Sequence, residues 1–159
     1  MRYILTIAAL MAVFGTAAQA KWLVLTVRYK STKEVMLQAS ETGSSDSHRG
    51  YPGIVVACRK HVRPTVLIHW VEPVFGSQQV RVRFDGGKPR LFTWDFTSDG
   101  WAGIMPRSDS LLRDLLTSKH LLARVEPRGR SALTAEFDTR GLRTELLAHP
   151  DLCSLPPKS

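Results

Sequence analysis

The stretch "QVRVRFDGGKPRLFTWDF", Gln79 to Phe96, alternates apolar and polar residues on both sides of a glycine pair. Successive side chains of a strand point to opposite faces, so Val80, Val82 and Phe84 share one side while Arg81, Arg83 and Asp85 share the other. Gly86-Gly87 supplies the positive φ angles of a two-residue hairpin turn, after which Phe92, Trp94 and Phe96 resume the apolar face. The segment predicts an antiparallel hairpin with one buried face.

The same period runs outward in both directions. "WLVLTVRY" places Leu23, Leu25, Val27 and Tyr29 on one side, and "EVMLQAS" places Val35, Leu37 and Ala39 opposite Glu34, Gln38 and Ser40. Both are expected as half-buried strands. The glycine- and serine-rich "ETGSSDSHRG", residues 41–50, predicts a mobile loop before the strand "IVVACRK". Further strands are expected at "TVLIHWV", "WAGIM", "LLARVE" and "SALTAEFD". Their shortness and regular spacing point to an all-β fold, a mostly antiparallel β-sandwich or barrel-like domain, with one or two short helices. One helix is expected in "SDSLLRDLLTSKH", capped by Ser108 or Asp109 and burying Leu111, Leu112, Leu115 and Leu116. A second, in "GLRTELLAHP", shares Leu142 and Leu146 on one face and stops at Pro150.

The chain opens with Arg2, an apolar run from Ile4 to Gly15, and Ala18-Gln19-Ala20, the charged head, apolar run and small-x-small site of a cleaved signal peptide. The run is shorter than the ~20 apolar residues that span a bilayer. Residues 1–20 are therefore expected to be removed, leaving 21–159 as a single β-sandwich-like domain in the periplasm, with no membrane span after cleavage. Loss of Arg2 lowers the formal charge of the 159-residue chain from +8 to +7. That balance favours polyanions such as lipopolysaccharide. Arg59, Lys60 and Arg63 after one strand, with Arg81 and Arg83 on another, are the candidate contacts. Nucleic acid is not expected as a partner, because no interleaved aromatic platform accompanies the cations.

Cys58 and Cys153 are the sole cysteines, and an even count in an exported chain predicts a disulfide. A zinc site on Cys58 and His61 lacks a second nearby cysteine, and no metal or cofactor is expected. The segment "FTWDFTSDGWAGIM" crowds acidic residues between indoles, but Trp94, Thr97, Asp99 and Trp101 fit a turn between strands, where Asp and Ser bond their own backbone. Glycan hydrolysis by Asp95 and Asp99 would need two carboxyls across a cleft with one raised in pKa. His61, His69 and His120 have no partner motif, so no catalytic residue is assigned and the chain is read as a non-enzyme.

From Lys21 to Cys153 these residues form a chain of motifs that resembles the TagO/VasI type of small exported proteins, associated with type VI secretion. Pro52, Ile54, Val56 and Cys58 match "P-x-L-x-x-x-C", followed by Thr65 to Trp70 as the Thr-to-Trp strand. Val80, Arg83 and Asp85 match "V-x-x-R-x-D", and Trp94, Thr97 and Asp99 match "W-x-x-S-x-D" with Thr97 in the serine position. Leu121, Arg124 and Pro127 match "L-x-x-R-x-x-P", and Ala135, Phe137, Asp138, Gly141 and Leu142 match "A-x-F-D-x-x-G-L". Two departures stand out: no aspartate pair lies around Ser31 to Glu34, and "CSLPPKS" lacks the tryptophan after the last cysteine. The resemblance implies no cofactor and no catalytic residue; taken with the leader, the cysteine pair and the strand pattern, it leads to the expectation of a monomeric accessory or binding module of the envelope whose partner is an envelope or secretion-system protein.

Overall fold

The computed structural model describes residues 22–29, 32–40 and 52–156. The expected signal peptide and the 41–50 loop lie outside them, as do the side chains of Tyr29, Gln38, Ala39 and Ser40. Among the described residues nine strands and two helices follow one another: β1 Leu23–Tyr29, β2 Thr32–Ser40, β3 Gly53–Arg59, β4 Val62–His69, β5 Ser77–Phe84, β6 Arg90–Phe96, β7 Ala102–Ile104, α1 Asp109–Thr117, β8 His120–Val125, β9 Leu133–Asp138 and α2 Leu142–Leu147.

The mostly antiparallel β architecture with two short helices is the one the alternation implies. All nine strands join one sheet in the order β1-β2-β3-β4-β7-β6-β5-β8-β9. Among the described residues it is open, with β1 and β9 as its edges, so it neither closes into a barrel nor divides into two separately bonded sheets. The three-residue β7 is the splice between two blocks: Leu67 and His69 of β4 face Ile104 and Ala102, and Asp95 of β6 faces Ile104 from the other side.

One face of this sheet makes the core. The registers place Val35 beside Cys58, Val56 beside Val66, Val80 beside Val125, and Ala123 beside Ala135. All are buried in a single cluster, to which α1 adds Leu111, Leu112, Leu115 and Leu116 and α2 adds Leu142 and Leu146. Ser108 caps α1, its Oγ accepting from the Leu111 amide at 3.4 Å. The C-terminal segment is held to the same core by the Cys58–Cys153 disulfide, 95 residues apart in sequence. The first and last parts of the sheet also meet at one corner, where the Trp22 indole donates to the Arg140 carbonyl at 3.0 Å.

Two expectations are corrected. The β5–β6 turn is made at Asp85-Gly86, with φ of 47° and 73°, rather than at Gly86-Gly87. Gly87 N then donates to the Phe84 carbonyl at 2.8 Å and closes a type I′ turn. In β1 the side expected to be half-buried faces outward: Leu23 and Leu25 are 55% and 40% exposed, and Trp22 with Val24 supplies the inner face instead. Alternation favours the odd side, since Thr26 and Arg28 lie on the other, but Trp22 just before the strand carries the larger apolar side chain into the core.

Candidate functional site: the β6–β7 turn and two basic surfaces

Thr97 and Asp99 sit in the reversal that feeds β7. Thr97 Oγ1 donates to Asp99 Oδ1 at 2.6 Å and accepts from the Ala102 amide at 3.1 Å, while the Trp101 amide donates to Asp99 Oδ1 at 3.2 Å. These bonds, the Thr97 one first, hold the Asp99 carboxyl below the usual carboxylate range. Gly100 stands at φ 77° with its amide on the Thr97 carbonyl. The reversal is clamped from the β4–β5 connection, because Val74 N donates to the Gly100 carbonyl and Trp70 N to the Trp101 carbonyl, at 2.8 and 2.9 Å. Trp94 is fully buried, whereas Trp101 is exposed and stacks on His69 with ring centroids 5.7 Å apart. Asp95 lies apart from this set, accepting from Ser77 Oγ.

The basic residues do not converge on one groove. Arg59, Lys60 and Arg63 gather at the β3–β4 hairpin, where Arg59 meets Glu34 at 3.7 Å and Arg63 meets Asp109 at 2.9 Å. Glu34 of β2 faces Arg59 of β3, so the β1–β2 hairpin ends at the same side of the sheet and adds Arg28 and Lys33, directly opposite one another. Sequence reading passed over those two because they flank a turn. Arg81 and Arg83 are separated from this tip by β7 and β6. Arg81 instead pairs across strands with Arg124 of β8, and both approach Glu126, at 4.0 and 2.9 Å. A shallow groove on the outer face runs past Gln79, Arg81, Leu91 and Arg124.

A third set of polar groups is structural. Asp85 Oδ1 accepts from the Lys119 and His120 amides, both at 2.8 Å, tying the hairpin turn to the α1–β8 connection. Nearby, buried Asp138 is clasped by Arg140, whose Nε lies 2.9 Å from Oδ1 and whose backbone amide donates to the same oxygen. The guanidinium holds the Asp138 carboxyl below its ordinary range against the opposing effect of burial. His61 is in the β3–β4 turn with φ 62°, and His120 is an exposed strand residue. Cys58 is committed to the disulfide and cannot serve as a thiolate ligand. Among the described residues no group of three His, Cys, Asp or Glu side chains could hold a metal ion.

The fold has a solved counterpart. The crystal structure of invasion associated protein B from Bartonella henselae superimposes with a TM-score of 0.58 at 16% identity, over 82% of this chain and 91% of that one. At that identity the likeness is one of fold. No protein-family model and no curated protein sequence matches the chain. The disulfide fits an oxidising compartment, as in an exported protein. No helix among the described residues is long and apolar enough to cross a membrane.

Proposed function

We propose that the protein is an exported, non-enzymatic accessory or binding module of the bacterial envelope. The observation that carries this reading is the Cys58–Cys153 disulfide, which locks the C-terminal segment onto β3 and belongs to an oxidising compartment. The leader-like residues 1–20 and the fold shared with an invasion-associated protein support it. Asp99 is engaged by its own turn, its carboxylate accepting from Thr97 Oγ1 and the Trp101 amide, which supports a structural role there. The test is osmotic-shock fractionation followed by intact mass: periplasmic material starting at Lys21 with both thiols oxidised is expected, and cytoplasmic protein with free thiols refutes the reading. Turnover of peptidoglycan that disappears in Asp95→Asn or Asp99→Asn would replace it with the hydrolase.

The motifs shared with the TagO/VasI type make a type VI secretion partner the finer form of this proposal. Deleting the gene in a strain with an active type VI system is expected to reduce effector export. Unchanged export returns the protein to a general envelope role. The basic tip favours a second reading, an electrostatic binder of lipopolysaccharide or a similar envelope polyanion.

A further inference from the structure

The two edges of the sheet are built differently. β9 carries Thr134 and Glu136 on its exposed side, a charge in the middle of the edge that deters pairing with another chain. β1 is less defended: its seven residues contain no proline or glycine, its one charge, Arg28, lies near the strand end rather than in the middle, and they pair with β2 from Leu23 to Tyr29 without a register shift. Its outward row is Leu23, Leu25 and Val27, at 55%, 40% and 41% exposure, and Thr26 and Arg28 on the other side are exposed too. The row continues across the sheet into half-buried Met36, Val55 and Leu67, so the apolar band stops only at the free edge. Among the described residues no strand takes that edge.

We propose that the β1 edge is a homodimer interface, two β1 strands pairing antiparallel about a two-fold axis at Thr26. A free strand edge presents unpaired amides and carbonyls whose natural complement is another strand. A second copy fits because the strand is self-complementary. With the axis at Thr26, Leu25 faces Val27 on the outer side and Arg28 faces Val24 on the inner side, so apolar meets apolar and no like charges oppose. In a chain of charge +8 that lack of opposed cations matters. The dimer joins two nine-stranded sheets into one and carries the apolar band through the interface.

Sedimentation velocity of the purified, disulfide-bonded protein over a wide micromolar range tests this. A concentration-dependent dimer is expected, with little dependence on salt. Leu25→Lys and Val27→Lys, at exposed positions, should each leave a folded monomer, checked by circular dichroism and thermal melting. Leu91→Lys, 59% exposed on β6, should leave the dimer intact. Thr26→Cys should cross-link into a covalent dimer under non-reducing conditions more readily than Leu23→Cys. A protein monomeric throughout the range, which would leave the edge to a strand of another protein, overturns the proposal. So does a dimer that survives both lysine variants.

Discussion

Asp138 and Gly100 show how much of this fold hangs on single residues at junctions. The folded-state pKa of Asp138 is depressed by Arg140, so its contribution to stability is present above the unfolded value and is lost as pH falls through the folded one, below about pH 4. Asp138→Asn should cost about 2 kcal/mol at neutral pH, the worth of hydrogen bonds to a charged group. Denaturant melts at pH 7 and pH 3 check it: the gap between wild type and variant should narrow in acid. At Gly100 a Cβ would lie 2.9 Å from the Val74 carbonyl and 2.9 Å from the Phe75 ring, at a φ that side chains rarely adopt. Gly100→Ala should therefore destabilise by about 2 kcal/mol or more, read from the same melts. Asp99→Ala removes one acceptor from the exposed turn and should lower the thermal midpoint while leaving binding intact in molecules that stay folded. Loss of binding at an unchanged midpoint would make the turn a contact site.

Elements were legible wherever one period dominated. Strict alternation in "QVRVRF" marked β5 and its inner face, and the leucine spacing marked the buried stripe of α1, because in each case one side of the element is polar. The strands of the first block defeat that rule: "GIVVACR" is apolar on both sides, and in "LVLTVRY" the wholly apolar side faces outward while Thr26 and Arg28 share the inner side with Val24, so period alone misoriented β1. The hairpin turn shifted by one residue because Asp tolerates the left-handed region, and here its carboxylate gains two amides across the chain that the sequence does not announce. The candidate site was half legible. The turn residues are local and fell together, but the basic residues needed the strand order, which placed Arg28 and Lys33 with Arg59 and split Arg81 from Arg63. At this scale the disulfide is the largest single constraint. Replacing both cysteines, Cys58→Ser with Cys153→Ser, should lower unfolding free energy by about 4–5 kcal/mol if the main effect is on the entropy of the unfolded chain. Denaturant titration against the oxidised protein reads it, and a loss below about 1 kcal/mol would mean that the C-terminal segment is held by packing alone.

Across the whole molecule the outer surface divides at β7. The β1–β4 block is apolar outside and basic at its hairpin tip, while the β5, β6, β8 and β9 block turns Arg81, Arg83, Arg124, Thr134 and Glu136 outward. The division decides where a polyanion would act. At the tip Arg28, Lys33, Arg59, Lys60 and Arg63 outnumber Glu34 and Asp109, and Arg28 opposite Lys33 is a like-charge pair whose cost an anion between them would relieve. On β5 and β8, by contrast, Arg81 and Arg124 already share Glu126. If the protein binds an anionic glycan such as heparin as a probe, affinity should fall steeply with salt, because each neutralised anionic group releases a counterion. Arg28→Gln with Lys60→Gln should then flatten the slope of log affinity against log salt by about 2, roughly one for each lost contact. Arg81→Gln should change it less, since removing that cation also frees Glu126 from one partner. Isothermal titration at several salt concentrations separates the cases. Equal slopes for the tip variant and wild type would remove the hairpin tip from any polyanion site, whatever the net charge of the chain.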